Sequence, residues 1–336
     1  MAKNDNIQDL LKDVADAIRS KKGSEELINP QEFSTEIANL PSGGGQWAVD
    51  FGEEIGSNNP YTLGALQEDI DYYNQIQEER RLYAEGKGGR SDNAILNDPE
   101  FKEKIAWWPK GMKAPTYLGD FFSLKEFVDD GYIPQYYTGT FGKAGKLVRV
   151  KMNMSGVKRA YALFANCVSL EKVDADLSSV ENAEQAFSNC YNIGRGFFNI
   201  DMPNAINIAS MLQNSGIRKA VITSKILTKA SYLFANCVNL REVYIDISNS
   251  PDITSMFNIC WALEKPYVKG WTTGNLGINN YSKVSPDSIH YIISNAIYAD
   301  SVKTLGLNNT AKENWEASEY YTEDVAKAQE LNITIA

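Results

Sequence analysis

Histidine occurs once in these 336 residues, at His290. That scarcity disfavours His-based metal sites and Ser-His-Asp relays. His290 also lies two residues from Ser288, a spacing at which helical side chains do not face each other. Cysteine occurs four times and never as a Cys-x-x-Cys pair, which argues against a zinc framework. No run approaches the roughly 18 apolar residues that a membrane-spanning helix needs, so no membrane insertion is expected. Met1-Ala2-Lys3-Asn4-Asp5-Asn6 leads straight into an amphipathic pattern without the apolar stretch of a secretory leader, so no such signal is predicted. Positive charge is in deficit, with 33 Lys and Arg against 43 Asp and Glu, and the net charge of −10 argues against nucleic acid as a partner. Gly142-Lys143-Ala144-Gly145-Lys146-Leu147 fails as a phosphate loop, because its glycines are misplaced and Leu147 stands where Ser or Thr is required. Asp129-Asp130 precedes Gly131 and reads as a turn. These residues predict no catalytic, cofactor-binding or metal-ligating set, and hence no enzyme.

What the chain does contain is a repeated phrase. Leu163-Phe164-Ala165-Asn166-Cys167, Ala186-Phe187-Ser188-Asn189-Cys190, Leu233-Phe234-Ala235-Asn236-Cys237 and Met256-Phe257-Asn258-Ile259-Cys260 each end on a cysteine. A fifth copy, Met211-Leu212-Gln213-Asn214-Ser215, carries serine in the cysteine slot. An aliphatic follows each, and stepping back extends the ladder to Leu124, Leu147, Leu170, Ile193, Ile217, Leu240 and Leu263. A fixed period in the low twenties predicts a solenoid of stacked strand-plus-helix units, because one unit cannot bury its apolar face alone. Strands are expected near 147–152, 170–175, 217–223 and 240–246, with Leu240, Glu242 and Tyr244 on one face and Arg241, Val243 and Ile245 on the other. A helical stretch is expected before each cysteine, as in Val180–Phe187. The asparagine either ends that helix in the left-handed conformation or bonds the backbone of the next turn. The cysteines read as small buried hydrophobes in the helix-to-strand turn, reduced and unbridged.

The Phe-x-Asn-Cys-x-x-Leu phrase at this period resembles the BspA-type leucine-rich repeat, over roughly residues 115–310. The resemblance implies an α/β fold, a leucine-rich-repeat solenoid serving as a binding or structural surface, of the kind found in bacterial surface proteins and in phages of gut bacteria. A right-handed coil is expected from the handedness of crossovers between parallel strands.

Residues 1–41 read as a helical hairpin. Leu10, Leu11, Val14 and Ile18 lie on one stripe, Asn29-Pro30 opens a second helix with Phe33 and Ile37, and Pro41-Ser42-Gly43-Gly44-Gly45 is a linker. These six apolar residues form a candidate anchor interface, and packing on the chain's own middle segment is the competing reading. Ala15–Gly23 with Ile28-x-Pro30 resembles short N-terminal modules of phage structural proteins. Residues 42–112 read as a helical and irregular linker with an α-helical cap. Within it, 61–86 forms a helix with Leu66, Ile70, Tyr73 and Ile76 on its stripe, either capping the first turn or self-associating as a coiled coil. Trp107, Trp108, Tyr136 and Tyr137 are candidate binding aromatics, with core packing the equal alternative. The solenoid then spans 113–310, and 311–336 closes it as a C-terminal cap. A helix is expected at 286–298, strand-like residues at 302–307, a last helix from Glu323 to Leu331 and a strand at 333–335.

Together these readings suggest a non-enzymatic phage virion protein, made in the host cytoplasm. Its partners would be capsid or tail proteins, further copies of itself as a homo-oligomer, and a host surface protein or glycan. A BspA-type adhesin on the bacterial surface ranks second. A solenoid glycan-active enzyme with two facing carboxylates ranks third.

Overall fold

The computed structural model describes residues 67–128, 136–193, 197–224, 226–249, 252–278 and 283–336. The candidate anchor residues Leu10, Leu11, Val14, Ile18, Phe33 and Ile37 lie outside that set.

The centre of the chain is a parallel coil with two ladders. In the first, β1 (Glu126–Val128), β3 (Arg149–Met152) and β5 (Lys172–Ala175) form a three-stranded sheet. β6 (Phe197–Asp201), β7 (Lys219–Thr223), β8 (Glu242–Asp246) and β9 (Lys265–Lys269) form a four-stranded one. Every pairing is parallel, with Val150 opposite Val173 and Val243 opposite Pro266. In the second ladder, β2 (Tyr136–Thr138) pairs with β4 (Arg159–Tyr161), and single bridges continue it through Asn182, Asn207, Lys229 and Asp252. Each bridge is one turn of the coil.

The strands begin two residues later than expected. Leu240 is buried and donates its N–H back to Cys237, closing a turn before the strand period starts. From Glu242 onward the alternation holds: Val243 and Ile245 are buried while Glu242, Tyr244 and Asp246 are half-buried.

The expected helices of the repeat are absent among the described residues. Each is replaced by a run of turns. The N–H groups of Ala160, Ala162, Phe164 and Asn166 donate to the carbonyls of Asn182, Glu184, Ala186 and Ser188 in the next coil. Those of Leu163, Ala165 and Cys167 donate three residues back within their own coil. An α-helix would send every N–H four residues back. Here alternate donors face outward to the neighbouring coil, so both sets are paired and the backbone closes without helix formation. This geometry needs left-handed residues at two positions per turn. Ala162, Gln185, Ser210, Tyr232 and Ser255 fill the first; Asn166, Asn189, Asn214, Asn236 and Ile259 fill the second. Asparagine tolerates that conformation better than other side chains, which explains its recurrence. The strand-plus-helix expectation therefore gives way to strand-plus-turn.

Stacking supplies the core. All seven ladder residues from Leu124 to Leu263 are buried. Phe141, Phe164 and Phe187 stack at 5.1 and 5.3 Å between ring centres, and Phe234 lies over Phe257 at 5.6 Å. Leu212 takes the phenylalanine place in the serine copy and is also buried.

Both ends are covered. α1 (Gln67–Ala84), α2 (Asp92–Leu96) and α3 (Pro99–Lys104) bring Tyr72, Ile76, Ile95 and Phe101 into the same core as Leu124 and Phe127. Lys125 reaches back to Asp69 at 2.9 Å. α1 spans the described part of the 61–86 stretch as far as Ala84. At the other end α4 (Pro286–Ser294) packs on β9, and α5 (Asn309–Glu316) and α6 (Tyr321–Glu330) pack on α4. β10 (Leu276–Gly277), β11 (Lys303–Gly306) and β12 (Ile333–Ile335) form a closing parallel sheet. α4 opens as its residues dictate, with Ser285 accepting from the Ser288 N–H and proline in the first turn.

Candidate functional site

The coil builds three columns of side chains, one residue per turn, and these are its candidate surfaces for recognition. The first is buried. Cys167, Cys190, Cys237 and Cys260 are unbridged, and each thiol donates to a carbonyl of the preceding coil. Cys167 reaches Phe141 O at 3.0 Å, Cys190 Phe164 O at 3.1 Å, Cys237 Leu212 O at 3.0 Å and Cys260 Phe234 O at 3.1 Å. The residue is small enough for the turn and still carries a donor, which alanine lacks. Burial pushes the Cys167 thiol up to about 12 and Cys237 up to about 11, and drives Cys190 and Cys260 well above the ordinary range. Such thiols are structural and poorly nucleophilic.

The second column is the asparagine ladder two residues outward from the ridge described next. Asn189 donates its amide to Asn166 Oδ1 at 2.8 Å, and Asn214 donates to Asn189 Oδ1 at 2.7 Å. The asparagines thus bond side chain to side chain between turns, not to backbone as one sequence reading had it.

The third column is exposed. The residue after each cysteine slot runs Phe122, Gly145, Val168, Tyr191, Gly216, Val238, Trp261. The register is direct: a Cβ on Gly145 would lie 3.9 Å from Val168 Cγ2, and one on Gly216 would lie 1.9 Å from Tyr191 O. Phe122, Tyr191 and Trp261 are 61%, 55% and 54% exposed. The spacing of the cysteines already marks this column in the sequence, but its exposure depends on which way the turn points.

The outer face of the first ladder is charge-paired. Lys219 meets Glu242 at 2.8 Å, Lys269 meets Asp246 at 3.4 Å and Lys151 meets Asp174 at 3.8 Å. At its C-terminal end Tyr291 of α4 stands 5.3 Å from the Tyr267 ring and donates to Tyr244 Oη at 3.2 Å.

The candidate aromatics separate. Trp108 is buried against Phe121 and Phe127, and its Nε1 donates to Met112 O at 2.8 Å. Trp107 is half-buried, edge-on to Tyr73 at 6.1 Å. Trp108 is therefore a core residue and offers no contact surface, because the first coil needs an apolar floor. Tyr136 and Tyr137 lie in β2, opposite Arg159 and Ala160.

His290 sits in α4 with Nδ1 2.8 Å from Asp324 Oδ1, and Asp324 Oδ2 accepts from Trp315 Nε1 at 2.7 Å. Tyr320 stacks on the imidazole at 4.4 Å. Ser294 Oγ is 3.4 Å from Nδ1 and 3.5 Å from Nε2. Near-equal distances to the two nitrogens put it off the line along which Nε2 accepts a proton from a nucleophile. This arrangement ties α4, α5 and α6 together. Among the described residues no cluster of His, Cys, Asp or Glu is placed to hold a metal ion, and no helix is long and apolar enough to cross a membrane.

Residues 132–241 match the BspA type leucine rich repeat region, in six copies. Among solved structures the chain is similar to the leucine-rich repeat protein of T. pallidum, at 14% identity over 63% of this chain and 85% of that one, with a TM-score of 0.30. It is also similar to a leucine-rich repeat protein from Bacteroides ovatus, at 13% identity over 65% and 73%, with a TM-score of 0.23. No curated protein matches. The coil built on the Phe-x-Asn-Cys phrase is a parallel-stranded solenoid, and its residues 132–241 are similar to the BspA type leucine rich repeat.

Proposed function

We propose that this chain is a non-catalytic virion protein of a bacteriophage, a fibre-like structural and attachment component. Its N-terminal residues 1–41 dock to capsid or tail proteins, and its right-handed solenoid is displayed for binding a protein or glycan of the host surface. The observation that carries a binding role is the closed backbone of the coil. Its buried columns satisfy the stack, so the outward columns are released for recognition. The particle assignment rests on the apolar stripe from Leu10 to Ile37, the linker Gly43-Gly44-Gly45 and the resemblance of the first residues to phage modules. Multivalent display on a particle would let modest single contacts act together.

Deleting residues 1–41 should leave a soluble, folded solenoid that no longer co-sediments with particles. A truncated chain that still assembles would move the anchor elsewhere, and one that fails to fold would make the hairpin part of the cap. A bacterial cell-surface adhesin is the second reading, favoured by the family match over 132–241. Capsid, portal and tail genes beside this one support the first reading; an export signal at the native gene start supports the second.

A further inference from the structure

The exposed column has an order of its own. Reading up the coil it runs aromatic, glycine, valine, aromatic, glycine, valine, aromatic. Phe122, Tyr191 and Trp261 thus recur every third turn. At ~4.8 Å between hydrogen-bonded strands, neighbouring rings are ~14 Å apart and the column is ~29 Å long. The turn after Phe122 and the turn after Tyr191 carry glycine, so no side chain at that position covers the ring. Gly216 is obligatory there, because any Cβ would collide with Tyr191 O.

We propose that this column binds an extended, uncharged polysaccharide lying along the solenoid axis, with Phe122, Tyr191 and Trp261 as stacking platforms. The proposal rests on the reading of the solenoid as a binding module and names the ligand class and the residues. Three features select this occupant. The first is charge. Charged residues make up 23% of the chain, yet none of the seven column positions carries one. The positions two before and one after each column residue from Asn166 to Ala262 are amides, hydroxyls or aliphatics; Asp120 flanks Phe122, Lys143 and Lys146 flank Gly145, and Arg218 follows the Gly216 turn. An anionic chain would find no counter-charge along most of this length.

The second feature is width. The strip is one residue wide, with rings set singly among glycine and valine. A protein interface needs a broad patch of about 800 Å² per partner with a contiguous desolvated centre. A sugar chain is narrow and presents flat C–H faces that pack on aromatic rings.

The third is the neighbouring amide ladder. Each asparagine amide has two donors and two acceptor lone pairs, and the side-chain ladder through Asn166, Asn189 and Asn214 uses one of each per link. The remaining capacity lies beside Tyr191, where the hydroxyls of a stacked sugar would stand; Asp120 and Ile259 hold the equivalent places beside Phe122 and Trp261.

The test is native affinity electrophoresis of the full chain through gels cast with β-glucan, xylan, mannan or dextran, with alginate as the anionic control. The expected result is retardation by at least one neutral polymer and none by alginate. Tyr191→Ala and Trp261→Ala should each weaken the retardation about tenfold or more, equivalent to about 1.4 kcal/mol. Gly145→Leu gives a variant independent of aromatic loss. A Cβ there meets only Lys143 O and Val168 Cγ2, both at 3.9 Å, so the fold accepts it while the gap beside Phe122 fills. It too should weaken binding at unchanged Tm. Failure of every neutral polymer to retard the chain would overturn the proposal, as would equal retardation of all variants. So would light scattering in which Tyr191→Ala or Trp261→Ala converts an oligomer to a monomer without any polysaccharide effect, since the column would then join copies of this chain. If the ridge variants bind host cells as the parent does, the column assignment fails and the wider binding-module reading survives.

Discussion

Raising the pH should unfold this protein through its cysteine column. A thiol in the unfolded chain ionises near about 8.5. In the folded coil burial holds Cys167 up to about 12 and Cys237 up to about 11, with Cys190 and Cys260 shifted the same way. Below about 8.5 both states keep their protons and the thiols leave stability unchanged with pH. Above it the unfolded state loses protons that the folded state retains. Stability therefore falls from about pH 8.5 upward until the pH reaches the folded values. A thiol in that window contributes about 1.4 kcal/mol per pH unit, so at pH 10 the loss is about 2 kcal/mol for each of Cys167 and Cys237, and Cys190 and Cys260 act in the same direction. That is a large share of the stability of an ordinary domain, about 5–15 kcal/mol.

Other groups titrate in the same range, so the decisive comparison is with Cys237→Ser. Serine already occupies the equivalent slot at Ser215, and its hydroxyl can donate where the Cys237 thiol now reaches Leu212 O. The variant should lose about 1–2 kcal/mol at neutral pH. Its stability from urea melts between pH 9 and about 10.5 should fall less steeply than the parent's, by about 1.4 kcal/mol per pH unit. Parallel curves for the two proteins would refute the reasoning, as would rapid reaction of native protein with a thiol reagent at pH 8.

Other residues give independent checks. Ile259 is a β-branched side chain held at φ 59° in a place where the other repeats use asparagine. Ile259→Asn should raise stability by about 1 kcal/mol, read as a higher Tm, and a fall would mean that its packing outweighs the backbone strain. The Tyr72 hydroxyl is buried without a hydrogen-bond partner among the described residues, and burial pushes its pKa up to about 12. Tyr72→Phe should be neutral or stabilising by about 1 kcal/mol in chemical melts, and a large loss would show that a partner had been missed. Phe164→Ala should cost about 3–5 kcal/mol, because the ring is fully buried between Phe141 and Phe187. A cost near zero in urea melts would mean that the stack collapses freely around the gap.

The period of the chain was open to reading because one residue type recurs at each contact between turns. Stacking puts leucine on leucine and cysteine beside the carbonyl of the turn below, so the same choice is forced every 23 residues or so. That made the solenoid, its buried ladder from Leu124 to Leu263 and the burial of Cys167, Cys190, Cys237 and Cys260 legible without coordinates. Asn166, Asn189 and Asn214 likewise signalled left-handed backbone. The stretch before each cysteine has the pattern of a helix and forms turns instead. Val180–Phe187 has helix-like composition, but Ala183, Gln185 and Phe187 donate to a coil more than 20 residues away, and a local pattern carries no information about so distant a partner. Trp108 was ambiguous for a similar reason: only the arrival of Phe121 and Phe127 decides that it is floor and not surface. The sequence alone therefore determined what repeats and what must be buried. Only the tertiary structure decided which way each turn faces, and with it that Phe122, Tyr191 and Trp261 stand outside, because exposure depends on the neighbouring coil.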